Sequence, residues 1–339
     1  MKALCSFRIY QLSTSERSQA KALDKAIGDF EAFLGDEDVQ KNKKDFQDLI
    51  DNANYFLGYC YYQLGFLKSF DMGQLANAQK LYNKAIDAFG EAAKAQDERI
   101  AISAQIMQAN THYLLARLYF RVSDDDWEKY KLAKDERTVA AENELNEAIK
   151  ILEKTISAAG TQKDLQKMAK VTKLIDRLTL GSVGLKKELN DAISALTDMK
   201  DDPKWKKDVM SRLAYGSLLN FLIFSGPPRA VEAACNRISD YDPEGLYWFG
   251  MTKFITGEYD KANAKFPAFT AQMARDRSTR AKELIADAKF RQAECMFWLG
   301  VKQGNSALLN QADAIYKALE NPQGEYYDYL IPDIREQVT

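Results

Sequence analysis

Residues 246–269 read LYWFGMTKFITGEYDKANAKFPAF. Apolar side chains recur three and four residues apart, and the pattern is broken once, at Gly257. That spacing describes two amphipathic helices joined by a tight turn. Small residues stand inside each helix, Gly250 in the first and Ala262 in the second. They let two helix axes approach closely, while Leu246, Phe249 and Phe266 fill the space around the contact. The stretch therefore predicts a helical hairpin.

The same period runs outward in both directions, and sustained strand-like alternation is absent. Ser13 and Glu16 form a capping box that opens a first helix, to about Leu34. Further helices are expected over about 39–70, 73–95, 98–122, 127–159, 162–180, 185–199, 204–225, 228–239, 244–256, 259–275, 278–303 and 306–320. Short turns between them predict antiparallel neighbours. No proline precedes Pro203, so helices can run unbroken through the first 202 residues. Asp202-Pro203 and Asp242-Pro243 each pair a capping acid with a proline suited to the first turn. Pro267 falls inside a helical pattern and predicts a kink there.

Looser copies of the hairpin recur. Leu57, Gly58 and Tyr61 pair with Ala78, Tyr82 and Ala85. Leu115, Ala116 and Tyr119 pair with Ala141, Leu145 and Ala148. Ala293 and Gly300 pair with Ala312, Tyr316 and Leu319, and a weaker copy has Gly216 with Ala230 and Ala234. On these residues, together with Leu246, Phe249, Gly250, Gly257, Tyr259, Ala262 and Phe266, the chain resembles the tetratricopeptide repeat family over about two thirds of its length. Lys253, Phe269 and Pro267 depart from the family pattern. The resemblance implies an all-α fold, a right-handed superhelical solenoid of antiparallel helical hairpins. Residues 1–159 form an N-terminal array and 203–339 a C-terminal array. Residues 160–202, Lys- and Asp-rich around Gly181-Ser182-Val183-Gly184, form a divergent helical pair or a joint.

Composition narrows the function. The chain has 339 residues, 46% hydrophobic and 28% charged, as in a globular protein. Forty-seven Lys and Arg against 49 Asp and Glu leave a net charge of −2, which argues against nucleic acid or an anionic membrane as the general partner. The longest nearly apolar run, Tyr215 to Phe224, is about half of what spans a bilayer. The start lacks a signal-like apolar stretch. The chain as it stands reads as cytoplasmic, and a signal removed ahead of residue 1 would make it periplasmic.

Few constellations carry chemistry. The single histidine, His112, lacks a nucleophile and an orienting acid in any motif and reads as a packed helix residue. Asp124-Asp125-Asp126 would open a calcium loop only with Gly and Glu where Lys129 and Asp135 stand, so they read as a helix cap. Gly181 and Gly184 do not make a phosphate loop. Cys5, Cys60, Cys235 and Cys295 have neither zinc spacing nor a disulfide framework, and Cys60 and Cys295 fall at equivalent repeat positions as small packing residues. No cofactor, metal or catalytic group is expected, and the chain is read as not an enzyme.

In the family, one face of each first helix lines a concave groove. The resemblance places there Asn52, Tyr55, Tyr59 and Tyr62, then Asn110, Tyr113, Arg117 and Phe120. The C-terminal copies contribute Glu244, Tyr247, Met251 and Phe254, then Asp287, Phe290, Glu294 and Phe297. Tyrosine anchors interfaces well, with large area and few rotors. The groove would take a peptide or helix of a protein partner, or these rings would pack on the next helix instead. The Lys of a carboxylate clamp is missing; only Asn52, Asn110 and Arg117 fit one. The implied function is a non-catalytic protein-interaction scaffold. The alternative is a structural subunit of a larger envelope or motility assembly, meeting its neighbours through the convex face or the ends.

Overall fold

The computed structural model describes residues 2–13, 15–69, 71–121, 134–160, 162–182, 184–199, 206–224, 226, 228–238, 243–276, 278–321 and 323–327. Among these the fold is all-α, with fifteen α-helices and no strand. The helices are α1 (Lys2–Leu12), α2 (Glu16–Leu34), α3 (Glu37–Lys41), α4 (Gln47–Lys68), α5 (Leu75–Ala92), α6 (Glu98–Arg121), α7 (Lys134–Ala158), α8 (Lys163–Ser182), α9 (Lys186–Met199), α10 (Lys206–Phe224), α11 (Pro228–Ile238), α12 (Glu244–Ile255), α13 (Tyr259–Met273), α14 (Thr279–Gln303) and α15 (Ser306–Glu320). Asp124–Asp126, Pro203 and Asp242 lie outside the described residues.

The chain divides into two compact units, Met1–Asp176 and Arg177–Thr339, and the division falls within α8. In the first unit α1 packs on α2, α4 on α5 and α6 on α7, while α2 meets α4 and α5 meets α6. In the second, α9 meets α10, and α10/α11, α12/α13 and α14/α15 are successive hairpins. Each unit is thus built largely of successive helical hairpins.

Glycines set the closest crossings. A Cβ built on Gly58 would stand 2.8 Å from the Phe89 ring, and one on Gly65 3.0 Å from the Tyr82 ring. Seven residues up α4 correspond to seven residues down α5, the signature of an antiparallel pair. Gly250 makes the same kind of contact with Phe266 at 2.9 Å, and Gly300 with Leu309 at 2.8 Å. A Cβ built on Gly181 would stand 2.6 Å from the Leu189 side chain, so the chain also approaches itself closely through a glycine between α8 and α9. Ala116 and Ala293 are fully buried. Gly216 departs from the expected copy. Its near neighbours are Leu178 and Ile193 on the preceding helices, and Ala230 is exposed, because α10 sends its glycine backward rather than toward α11.

The repeat residues form the core. Ala78, Ala85, Ala141, Leu145, Ala148, Ala262, Phe266 and Phe269 have no exposed area, and Tyr82 is 1% exposed. Burying each large ring contributes about 1.5–3 kcal/mol. Turn chemistry closes the hairpins. Gly257 (φ 76°) and Gly304 (φ 62°) take left-handed backbone, and the following N–H groups, of Glu258 and Asn305, donate back to Lys253 O and Gly300 O. That is the Schellman pattern, which only glycine enters without strain.

Three expectations need correction. Residues 2–12 form a helix that periodicity did not reveal, because Leu4, Ile9 and Leu12 are exposed while Ala3 and Phe7 are buried, so apolar residues encircle it. The expected helix over 39–70 is two, α3 and α4, with α3 ended at Asn42, whose Nδ2 donates to Asp38 O. The cap of α2 is Ser15, which accepts from Ser18 N, while the Ser13 hydroxyl donates to Ile9 O at the end of α1. α13 continues through Pro267, which leaves the Asn263 carbonyl without its helical donor.

Candidate partner-binding faces

In the first unit, Asn52, Tyr55, Tyr59 and Tyr62 recur three and four residues apart on α4 and therefore share one face. Asn110, Tyr113 and Arg117 do the same on α6; Phe120 lies on α6, and its side chain is outside the described ones. Tyr59, Tyr62, Tyr113 and Arg117 come together. The Tyr59 and Tyr62 rings are 6.2 Å apart, and the Arg117 guanidinium lies 5.9 Å from the Tyr113 ring. Burial, then the neighbouring Tyr59 and Tyr113 hydroxyls, push the Tyr62 phenol up to about 12, against the Arg117 charge. All four stay partly exposed.

α1 adds to this face. Phe7 is buried edge-on against Tyr59 at 5.7 Å and lies 5.8 Å from Tyr10. Burial followed by Tyr59 pushes the Tyr10 phenol to about 12 as well. Tyr10 was missed because its helix was missed; the i, i+3 pair of Phe7 and Tyr10 was the available signal. Tyr55 divides its contacts, meeting Phe56 at 5.7 Å and the fully buried Phe89 at 5.9 Å, so it belongs partly to the core. Asn52 is exposed and donates to the Asp48 carbonyl of its own helix. Asn110 is half-buried beside the Met107 sulfur at 3.9 Å.

In the second unit, Tyr247 needs correction as a groove residue. It is 5% exposed, and its hydroxyl donates to Asp287 Oδ2 at 2.5 Å. Burial and the Asp287 charge hold that phenol well above its ordinary value. Arg291 donates to Glu294 at 2.6 Å and lies 3.5 Å from Asp287. Burial raises both carboxyls, and Arg291 opposes it. This network ties α12 to α14 and is a polar part of the core. Phe254 remains half-buried between Tyr259, 5.7 Å away, and Arg291, 5.5 Å away.

Elsewhere several polar groups are paired across helices. His112 is buried, and its Nδ1 lies 2.6 Å from Glu144 Oε2, joining α6 to α7. Cys60, Cys235 and Cys295 are buried, and burial pushes each thiol up to about 12, far from a reactive thiolate. A cleft of about 560 Å³ opens beside α4 and α5. On its wall Tyr61 donates to Glu31, and Lys84 donates to the Tyr61 hydroxyl at 3.3 Å. Among the described residues, no group of three or more His, Cys, Asp or Glu side chains could hold a metal ion, and no helix is long and apolar enough to cross a membrane.

No family model matches the chain, and no curated protein matches it. Among solved structures it is similar to a chain described as "Circular tandem repeat protein with novel repeat topology and enhanced subunit contact surfaces". The identity is 13% and the TM-score 0.38, over 99% of this chain and 83% of that one.

Proposed function

We propose that the protein is a tetratricopeptide-like, non-catalytic scaffold that holds a peptide or helix of a protein partner against the tyrosine face of its first unit. One observation carries this reading: Tyr59, Tyr62, Tyr113 and Arg117, from two successive hairpins, share a partly exposed surface without entering the fully buried core. A core would enclose such rings completely, whereas an interface leaves part of their area open to a partner. Apolar area supplies affinity, and Arg117 and Asn110 fix register. The test is purification from native cells with the chain as bait, comparing the natural protein with the Tyr59→Ser/Tyr113→Ser double variant. Loss of a co-eluting protein by more than tenfold, with melting temperature nearly unchanged, supports the reading. Equal recovery of every co-eluting protein contradicts it.

The second reading, a subunit of a larger assembly, draws on α1. Leu4, Ile9 and Leu12 are 46%, 55% and 77% exposed there, as expected of a surface covered by a neighbour. Native purification of a stable multi-subunit complex that survives the double variant would favour it.

A further inference from the structure

The cleft beside α4 and α5 lies away from the tyrosine face. Asn54, Leu57 and Tyr61 line it from α4, on roughly the opposite side of that helix from Tyr55, Tyr59 and Tyr62. Lys84, Asp87, Ala88 and Glu91 line it from α5, and Glu31 of α2 and Gln108 of α6 complete it.

Most polar groups of the cleft already have partners. Glu31 accepts from the Tyr61 hydroxyl and lies 3.6 Å from Lys84. Lys94 donates to Glu91 at 2.7 Å, and Gln108 Nε2 donates to Ile86 O at 3.3 Å. Two groups remain. The exposed Asp87 carboxylate and the half-buried Asn54 carboxamide have no partner among the described residues. Leu57 and Ala88, both buried, add apolar wall.

These two open groups define the ligand. Asp87 calls for one cation. A carboxamide offers a donor and an acceptor side by side, which the N–H and C=O groups of an extended backbone match. A helix has already bonded those groups to one another. The dimensions of the cleft decide the same way. Asn54 to Tyr61 and Lys84 to Glu91 each span two helical turns, about 10 Å. Over that length the cleft of about 560 Å³ averages about 55 Å² in cross-section. An extended chain needs about 50 Å², from spacings of about 4.8 and 10 Å. A helix about 10–12 Å across needs about 80–110 Å². A second copy presenting the same concave face would leave the space unfilled. Its two-fold antiparallel docking would also set Lys84 against Lys94 and Asp87 against Glu91. A small free cation would leave Asn54 and the apolar wall uncovered.

We infer that this cleft binds a short extended segment of another protein, with one basic side chain on Asp87 and backbone amide groups on Asn54. The site does not depend on the tyrosine face.

Titration calorimetry of the full chain with the capped pentapeptide Ala-Val-Arg-Val-Ala tests this. The comparison probes carry Glu or norleucine in place of Arg, and argininamide serves as the small cation. The Arg peptide should bind saturably, with Kd at or below about 1 mM. It should bind about tenfold or more tightly than each of the other three probes. Asp87→Lys should reverse the order and make the Glu peptide the tightest. Asn54→Leu should weaken the Arg peptide about threefold or more. Tyr59→Ser/Tyr113→Ser should leave every titration unchanged, whatever that variant does to partner capture. No saturable binding of the Arg peptide overturns the inference, as does an unchanged order of probes in Asp87→Lys. Argininamide binding as tightly as the Arg peptide overturns it in favour of a small cation. Equal binding by the same charge on a peptide locked in a helix overturns the extended form.

Discussion

Gly58 and Gly28 are both helical glycines, yet opposite outcomes are expected from replacing them. In an open helix, Gly→Ala stabilises by about 0.5–1 kcal/mol through backbone entropy. A Cβ on Gly28 meets nothing within 4 Å, so Gly28→Ala should raise stability by about that much. A Cβ on Gly58 would press on the buried Phe89 ring, so Gly58→Ala should destabilise by about 1–3 kcal/mol despite its better helix propensity. Denaturant midpoints of the two variants check the sign. Asp176 offers a second contrast. It is fully buried, and neither carboxyl oxygen meets a hydrogen-bond partner among the described residues. Burial therefore raises its carboxyl well above the ordinary value. A raised acid weakens the fold progressively as pH climbs above its unfolded value of about 3.9. Asp176→Asn should consequently stabilise at pH 7 and change little at about pH 3. Lower stability of the variant at pH 7 would show that the carboxylate has a favourable partner.

At the scale of the element, Lys253 is a charge inside an apolar helix. It is buried and donates at 2.8 Å to both Glu232 and Glu258, joining α11, α12 and the turn into α13. The Lys253 hydrogen bond, then that of Lys261, lowers the Glu258 carboxyl to about 2. Its folded value lies below the unfolded 4.5, so the linked stability is present above about pH 4.5 and lost as pH falls toward 2. Lys253→Met should flatten the pH dependence of unfolding in that window; an unchanged slope would dissociate the two residues. Elements of this kind were legible where small and large apolar residues kept the helical period, as at Gly250 and Phe266. α1 was illegible because its apolar residues face solvent as well as core. The break between α3 and α4 depends on local polar bonding of Asn42, which periodicity does not register. The helical period puts Tyr59 with Tyr62 on α4 and Tyr113 with Arg117 on α6, while bringing the two pairs onto one groove was an expectation of the repeat resemblance. The burial of Tyr247 was not legible, since it depends on Asp287 forty residues away in sequence.

At the scale of the molecule, two compact units repeat one construction, a glycine on the first helix seated against a ring on the second. Stability in such stacks is held by nearest-neighbour contacts. Gly58→Ala should therefore raise amide hydrogen exchange within Met1–Asp176 far more than within Arg177–Thr339, as peptide-level exchange would show. The partner-binding reading depends on the same construction, because regular hairpins align α4 and α6 side by side and bring their tyrosines together. A pair of double-mutant cycles tests that construction most directly, Gly58→Ala with Phe89→Leu and Gly250→Ala with Phe266→Leu. Each alanine should be markedly less destabilising beside leucine, giving coupling of about 1 kcal/mol or more at both crossings. Additive effects within about 0.5 kcal/mol at either site would contradict the claim that these glycines admit the rings.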